Sequence, residues 1–397
     1  MRVPTLQAAR QTFDAIAARQ SEQARLQTQI ATGLRVNSPG DDPAAAAQAE
    51  LARSRLAQIG QERRAIQLAG SLLSAADGAL GHGVELLQSA REALVAAGNG
   101  SYSHADRQGL AMQLRTMREG LLELANTRDG AGGFVFGGQG SVAEPLGGGS
   151  SPAYGAAAGV QRIGEGGRYA ATVDGRATFM ALPQGNGVFV TASAGGNSGT
   201  GWIDAGSVSN PALLTGHHYS ITVGGTPAVP TYSVADTTSG AVLGANLPLA
   251  ADAVIEVEGQ RVQIAGAPAV GDVFTLAPAG QQSVFQTLDD AITLLESSSV
   301  TPAAYSERLE RAHTGVDRAL EGMILMRSRV GAELRSVDDG DAAGQQQELS
   351  ATRRRSDLQD LDLAQGISAL QSSQIALDAA LRSYASIART SLFQLLG

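Results

Sequence analysis

Residues 59–97 read IGQERRAIQLAGSLLSAADGALGHGVELLQSAREALVAA, and a large aliphatic side chain stands at every seventh position. Three positions after each of them stands a residue that is small in five cases of six. Such a pattern is typical of a helix that a neighbouring helix approaches closely. The large residues, called the bundle seam, are Ile59, Ile66, Leu73, Leu80, Leu87 and Leu94, and the small row is Glu62, Ala69, Ala76, Gly83, Ala90 and Ala97.

A helix from about residue 43 to residue 97 would be about 80 Å long, at an α-helical rise of about 1.5 Å per residue. Gly78, Gly81 and Gly83 leave a bend or a break open, because glycine is a poor helix former. A helix of this length suits an extended bundle better than a compact enzyme.

Composition divides the chain into three blocks, with changes near residues 130 and 283. The outer blocks are rich in Ala, Gln, Leu, Arg and Glu, which favour helix, and the middle block is rich in Gly, Thr, Val, Ser and Pro. The sequence therefore predicts an α+β, multidomain chain. A long antiparallel helical bundle or coiled coil is built from both chain ends, and an all-β domain is inserted in it.

Further elements follow from periodicity. Apolar spacing predicts a helix from about His104 to Asn126, a short helix around residues 288–295, and another that begins at Thr301-Pro302. Short β-like runs between turns predict a sandwich or barrel. These runs are 172–173, 188–190, 219–223, 254–257 and 262–264, and the glycine-bounded run 134–136 is predicted as a short strand or hairpin packed on the bundle. A second heptad seam runs through Leu309, Val316, Leu320, Met323, Val330, Leu334 and Val337, with His313 and Arg327 interrupting it.

The two outermost helices have apolar seams that glutamines interrupt. Gln20, Gln23 and Gln27 share the spacing of the apolar residues in the first helix, and Gln374 does so in the last, placed at about Gln346 to Leu395. Such helices are marginal alone, so we expect them to become ordered against partners. The predicted assembly interface is Leu6, Phe13, Ile16, Ile30, Leu363, Ile367, Leu370, Leu377, Leu381, Tyr384, Leu392 and Phe393.

A dense turn follows the first helix. Residues 37–43 read NSPGDDP, in which Asp42 is a predicted helix N-cap and Pro43 stands in the first helical turn. Asp41 and Asp42 also suit the positive end of the helix dipole. We interpret Asn37, Asp41, Asp42 and Pro43 as an inter-domain turn that sets the angle between two helices.

These signals predict five segments. Residues 1–42 form an N-terminal assembly helix that pairs with the C-terminal assembly helix, 346–397. Residues 43–140 and 284–345 are the two halves of the helical bundle domain, the first with a short β-hairpin. Residues 141–283 are the inserted β domain.

Composition excludes several functions. The net charge of −9 argues against a nucleic-acid binder, which needs a basic face. Cysteine is absent, so no disulfide or thiolate chemistry is available, and the absence of lysine excludes Schiff bases and P-loop chemistry. No run is long enough for a membrane span. The N-terminus lacks the apolar core of a cleaved signal peptide, so an exported chain would use another route.

Catalytic, cofactor and metal patterns are missing. His217 and His218 are adjacent on a β-like run and point to opposite faces, so they cannot chelate jointly. The acidic clusters 289–290 and 338–341 are interpreted as solvated turns near helix ends, with weak cation binding by the second left open. We expect no enzyme activity, no cofactor and no metal.

Two motifs resemble the bacterial flagellin family. Residues 33–45, GLRVNSPGDDPAA, are similar to the turn that precedes an alanine-rich helix in flagellin-type proteins. The proline after two aspartates, residues 134–138 (FVFGG), the start MRVPTL and the C-terminal SLFQLL resemble the hook–filament junction branch more than filament flagellin. The match covers roughly residues 1–140 and 284–397, and the middle domain carries no matching motif.

The resemblance implies a structural, extracellular protein of the bacterial flagellum that is needed for motility. It implies export in unfolded form through the flagellar type III apparatus, with a cytoplasmic export chaperone. The implied partners are other copies in a ring, a neighbouring hook-associated protein and flagellin, with no nucleic acid and no membrane insertion.

Two alternatives stay open. A divergent filament flagellin would polymerise into long filaments, whereas a junction protein would form short assemblies or stay monomeric. A secreted carbohydrate-binding protein could use Trp202 and Tyr219 of the β domain to stack on sugar rings.

Limited proteolysis of the soluble chain tests the predicted weakness of the ends. We expect both termini to be removed first, up to roughly residues 40 and 350, because helices with polar seams are marginal without partners. Mass mapping of the fragments would show this, and protection of both ends would contradict it.

Overall fold

The computed structural model describes residues 3–130, 132–138, 144–147, 152–155 and 173–396; within them, side chains are described for residue 7 and for residues 10–386. The chain divides into two compact units, one of Met1–Arg64 with Gly340–Gly397 and one of Ala65–Asp339. The α-helices are α1 (Val3–Thr32), α2 (Pro43–Ala97), α3 (His104–Ala125), α4 (Val284–Glu296), α5 (Pro302–Gln359) and α6 (Leu363–Leu396). The predicted fold class, a helical bundle from both ends with an inserted antiparallel β region, is confirmed.

The heptad stretch forms one unbroken helix. α2 runs for 55 residues and continues through Gly78, Gly81 and Gly83, where the sequence left a break open. A Cβ atom at residue 83 would lie 2.9 Å from the Met323 sulfur, so this glycine makes room for a side chain of α5. Packing against a neighbour thus offsets the poor helix propensity of glycine.

The bundle seam lies in the core of the second unit from Ile66 onward. Ile66 is 7% exposed and the four leucines of the seam are at most 1% exposed. Ala69, Ala76, Ala90 and Ala97 of the small row are at most 2% exposed. α3 and α4 pack against each other in the same core. A capping box between Ser103 and Asp106 begins α3, since each side chain bonds the other's backbone N–H.

The inserted region holds two antiparallel sheets around one core. A five-stranded sheet has the order β2-β10-β5-β6-β7, and a four-stranded sheet has β3-β9-β4 with β8 paired to β9. Phe189, Tyr219 and Phe274 lie between them and are at most 1% exposed. The strands are β1 (Leu182–Pro183), β2 (Phe189–Ser193), β3 (Trp202–Ile203), β4 (Ser207–Val208), β5 (Tyr219–Thr226), β6 (Val229–Asp236), β7 (Val242–Pro248), β8 (Ala253–Val257), β9 (Gln260–Ala265), β10 (Val273–Pro278) and β11 (Gln281–Gln282).

The β region is attached to the helices in two ways. β1 and β11, which pair with each other, are the segments where the chain enters and leaves it. In addition, the Glu307 carboxylate of α5 accepts the backbone N–H of Ser193 at 3.1 Å, and Arg311 donates to the Thr191 carbonyl at 3.2 Å. The exposed backbone edge of β2 is therefore bonded by charged side chains of α5, which removes its capacity to pair elsewhere.

The predicted start of the last helix is wrong. Gln346 lies inside α5, which continues to Gln359, and α6 begins only at Leu363. The Asp362 carboxylate accepts the N–H groups of Ala364 and Gln365, so this aspartate begins α6. The helix-forming composition of residues 346–359 explains why no break occurs earlier.

The interpretation of both acidic clusters as solvated turns is also wrong. Asp289 and Asp290 lie in α4, and residues 338–341 lie in the interior of α5 rather than in turns. Arg118 of α3 donates to Asp289 at 3.0 Å, and Arg63 of α2 donates to Asp341 at 3.0 Å. Neighbouring arginines stabilise these carboxylates on helices, which composition alone does not reveal.

The run 134–136 packs on the bundle, although it forms isolated bridges and no strand. Phe134 pairs with Arg128, and Gly137 pairs with Asp174. Phe136 is fully buried and meets Phe179 edge to face at 5.2 Å between ring centres. Residue 172 of the predicted run 172–173 lies outside the described residues.

Shortening one side chain of the bundle seam tests how much the seam contributes to the free energy of unfolding. Leu87→Ala is expected to lower the free energy of unfolding by about 2–5 kcal/mol, because Leu87 is 0% exposed and leaves a cavity. Leu68→Ala, on the same helix but 52% exposed, should change it by less than about 0.5 kcal/mol. Chemical denaturation measures both, and equal effects would contradict the assigned core.

Candidate assembly surface

The first unit brings the two terminal helices together. α1 packs against α6, and both join the rest of the unit at adjacent turns. On α1 the face toward α6 buries Ile16, Leu26 and Gln29, which are 8%, 7% and 5% exposed. Among the side chains of α6 that the structure describes, the buried positions are Gly366 and Ser373. Gly366 is covered by Leu361 of the preceding turn, and the half-buried Leu370 and Leu377 lie near the side of Ser373.

An apolar stripe on α6 is left uncovered by α1. Leu363, Ile367 and Leu381 are 51%, 47% and 42% exposed, and Tyr384 is 38% exposed. At about 100° per residue, Leu363 and Leu381 lie roughly 70° and Ile367 roughly 110° around the helix from the buried pair Gly366 and Ser373, whereas Tyr384 lies on nearly the same side as that pair and is exposed further along the helix. Exposed apolar side chains in a row indicate a surface that another chain covers.

The predicted interface residues fall into four groups: buried, half-buried, exposed, and outside the described side chains. Ile16 is buried, Ile30, Leu370 and Leu377 are half-buried, and Phe13 is 65% exposed. The stripe residues Leu363, Ile367, Leu381 and Tyr384 are exposed. The side chains of Leu6, Leu392 and Phe393 lie outside the described ones.

The sequence pattern missed four residues of this surface. Leu26 and Ser373 are buried in the helix pair, Gly366 is covered by Leu361 of the preceding turn, and Ile375 is 72% exposed on α6. Leu26 precedes Ile30 by four residues, which is a helical spacing that could have found it. Small buried residues give no hydrophobic signal, so Gly366 and Ser373 could not be recognised this way.

The inter-domain turn is built around its two aspartates. Asp41 Oδ2 accepts the backbone N–H groups of Asn37 at 3.0 Å and Ser38 at 2.8 Å. Asp42 Oδ1 accepts the N–H of Ala45 at 3.0 Å, as an N-cap of α2 does. The backbone N–H of Ser38 and then of Asn37 lowers the pKa of Asp41, and the N–H of Ala45 lowers the pKa of Asp42.

A second turn, at Asp360–Asp362, pairs with the first. Arg35 N donates to Gln359 O at 2.7 Å, and Leu361 N donates to Gly33 O at 2.9 Å. The Arg35 side chain donates to Leu358 O at 2.7 Å. Gly33 has φ of +70°, which a residue with a side chain rarely adopts. The two helix breaks are therefore joined by main-chain hydrogen bonds.

Beyond these two turns, an ion-pair cluster joins α2 and α5 inside the first unit. Arg63 donates to Asp341 at 3.0 Å and to Glu348 at 2.5 Å, and its side chain is 22% exposed. Asp341, followed by Glu348, raises the pKa of Arg63. Because residue 344 is glycine, the Arg63 stem can cross α5 closely; a Cβ there would lie 2.9 Å from its Cγ.

Other candidate chemistry finds little support. Tyr219 is 1% exposed, so it cannot stack on a sugar ring. His217 Nδ1 lies 2.7 Å from Asp236, whereas His218 bonds Thr238 through its backbone N–H. Within the described part of the chain, no three His, Asp or Glu side chains are grouped as metal ligands, and no helix is both long and apolar enough to cross a membrane.

Comparisons with known proteins point in one direction. Residues 3–141 match the family described as the bacterial flagellin N-terminal helical region. Flagellar hook-associated protein 3 of Escherichia coli (strain K12) is 26% identical over 403 aligned positions, which cover 100% of this chain and 99% of that protein. The protein of the same name from Salmonella typhimurium (strain LT2) is 24% identical over 401 positions, with the same coverage.

A solved structure shares the fold. The crystal structure of the flagellar junction protein FlgL from Legionella pneumophila is 26% identical and has a TM-score of 0.70. The match covers 79% of this chain and 100% of that chain. The family match at residues 3–141 includes α1, the inter-domain turn, α2 and α3.

Acid should weaken the inter-domain turn. The folded chain lowers the pKa of Asp41 and Asp42 below the ordinary 3.8, so their stabilising effect is full above about pH 3.8 and is lost as pH falls through the lowered values. Asp41→Ala should therefore lower the melting temperature at pH 7, and the difference from wild type should shrink below about pH 3.8.

Circular dichroism melts measure this, with Asp14→Ala, at an exposed aspartate of α1, as the control. A difference for Asp41→Ala that persists unchanged at pH 3 would show that its carboxylate does not act as described.

Proposed function

Because this chain belongs to the flagellin-related flagellar hook-associated proteins, we propose that it is the structural adaptor that connects the hook to the flagellin filament. The observation that carries the proposal is the uncovered apolar stripe of α6 (Leu363, Ile367, Leu381 and Tyr384) beside a terminal helix pair. The relatives are structural components of the flagellum, and the adaptor works by assembly, without catalysis.

Assembly buries the stripe. Each Å² of apolar surface removed from water contributes about 25 cal/mol, so a row of half-exposed aliphatic side chains repeated in every copy supplies a substantial driving force. Residues 363–377 carry no charge, so burial of this part of α6 leaves no unpaired ion. Glutamines and serines beside the stripe keep the free helix soluble and can bond across the contact.

The partners follow from this surface. The proposed partners that would cover it are copies of the chain in a ring, a neighbouring hook-associated protein and flagellin. Before export, a helix with an exposed apolar stripe and an uncharged first half needs cover in the cytoplasm, which supports a role for an export chaperone. A chain without cysteine passes through an unfolded, secreted state without forming disulfides.

A divergent filament flagellin is the second candidate, because the matched N-terminal region is named for flagellin. The two functions differ in the length of the product. Electron microscopy of the purified chain under polymerising conditions separates them: long filaments indicate flagellin, and short assemblies or monomers indicate the adaptor.

A polar residue in the stripe should abolish assembly. Ile367→Asn places an amide on the uncovered side of α6, where burial without a partner is costly, so we expect loss of filament attachment and of swimming. The measurement is motility and electron microscopy in a strain whose own copy is deleted.

Ala379→Asn is the matched control, since Ala379 is exposed on another side of α6. It should retain motility, and both variants should be secreted at wild-type levels. Full motility of Ile367→Asn would remove the stripe from the mechanism.

A further inference from the structure

The apolar contact between α2 and α5 does not by itself determine their register. The bundle seam and small row of α2 repeat every seven residues. The facing residues of α5 repeat with the same period, at Leu309, Val316, Met323, Val330 and Val337. Sliding α5 by one or two heptads therefore brings large residues against small ones again. Within the second unit, something other than the apolar seam must select the observed register.

One selector is steric. Gly83 interrupts a row of alanines, and it faces Met323, the one unbranched side chain among those five residues of α5. A slip of one or two heptads would bring Met323 against Ala69, Ala76, Ala90 or Ala97. The Met323 sulfur would then have to move, since a Cβ at residue 83 would already lie 2.9 Å away. Methionine is flexible, so this selector is soft.

The second selector is electrostatic. Arg327 donates to both carboxylate oxygens of Asp77, at 2.9 and 3.3 Å, and Arg91 lies 2.8 Å from Asp317. Asp77 and Arg91 are fourteen residues, or two heptads, apart on α2, and the sign of the charge alternates between them. Each helix therefore carries one charge of each sign in the contact.

This alternation penalises slipped registers. A two-heptad slip in one direction brings Arg327 opposite Arg91, and in the other direction it brings Asp317 opposite Asp77. A one-heptad slip leaves Arg327 or Asp317 opposite Val84 and breaks both ion pairs; Glu85 beside Val84 would still attract Arg327 there, so against this slip the Gly83–Met323 contact is the main selector. We propose that the alternating pairs Asp77–Arg327 and Arg91–Asp317, with the Gly83–Met323 contact, select the register in which α2 and α5 join during folding.

The need for such a device comes from chain connectivity. Arg91 and Asp317 are separated by 226 residues, so no short loop aligns the two helices. Exposed ion pairs add little stability, and the four side chains are between 34% and 56% exposed. Their effect is instead on the difference between registers, where an attraction is replaced by a repulsion. This inference concerns folding and does not depend on the proposed function.

The absence of cysteine makes a cross-linking test direct. Gly70→Cys with Val337→Cys reports the native register, because a Cβ at residue 70 would lie 3.2 Å from a Val337 methyl carbon. Val84→Cys with Val337→Cys reports the two-heptad slip that brings Arg327 to Arg91. In the native register residue 84 is about 21 Å further along α2, which is out of reach. Each pair is oxidised after refolding of the full chain from denaturant.

The decisive variant exchanges one ion pair. Asp77→Arg with Arg327→Asp keeps an attraction in the native register, but in the slipped register it places the new carboxylate at position 327 opposite Arg91. We expect the 84–337 cross-link to increase by roughly threefold or more after refolding. Adding Arg91→Asp and Asp317→Arg restores the alternation and should return the cross-link to its original level. Salt at 1 M should reduce the differences among the variants.

The outcomes are distinct. Pairs that only stabilise would leave the 84–337 yield unchanged in the first exchange, and this result overturns the proposal. If the first exchange variant fails to fold and forms no 84–337 product, the proposal is overturned as well. It is also overturned if the fourfold variant still forms the 84–337 product.

Discussion

The close approach of α2 to α5 is the contact on which the second unit depends. Small residues of α2 admit the aliphatic side chains of α5, and the buried seam that results is at most 7% exposed from Ile66 to Leu94. The β region is inserted between α3 and α4, and its own core is separate from that of the helices. Glu307 and Arg311 of α5 bind the edge of β2, so the same helix that completes the bundle also holds the inserted region.

In the first unit the equivalent constraint is the pair of joined turns. Main-chain bonds between residues 33–35 and 359–361 hold the end of α1 beside the start of α6, while Asp42 and Asp362 begin the next helices. The terminal helices therefore leave the turns as a pair. α1 packs against α6, and the stripe around Ile367 remains exposed beside this pair, where another chain can cover it.

Much of this could be predicted from sequence, because heptad spacing and turn residues are local signals. Local signals predict the bundle helix, the N-cap at Asp42, the start of α5 at Pro302 and the β runs 219–223, 254–257 and 262–264, which form parts of β5, β8 and β9. The break at Asp360–Asp362 was missed, because helix-favouring residues surround it and its partner is the distant turn at Gly33. Asp341 was misread as a turn residue, since its stability on a helix depends on Arg63, which is 278 residues away. The assembly surface was predicted as one seam, although α1 covers only part of α6.

The central claim is that the stripe of α6 is free in the soluble chain and covered in the flagellum. Since the chain has no cysteine, Ile367→Cys supplies a single thiol whose labelling by a maleimide can be measured in both states. The account predicts rapid labelling of the soluble protein and protection in isolated flagella, with Ala379→Cys labelled in both. Equal labelling of residue 367 in the two states would contradict it.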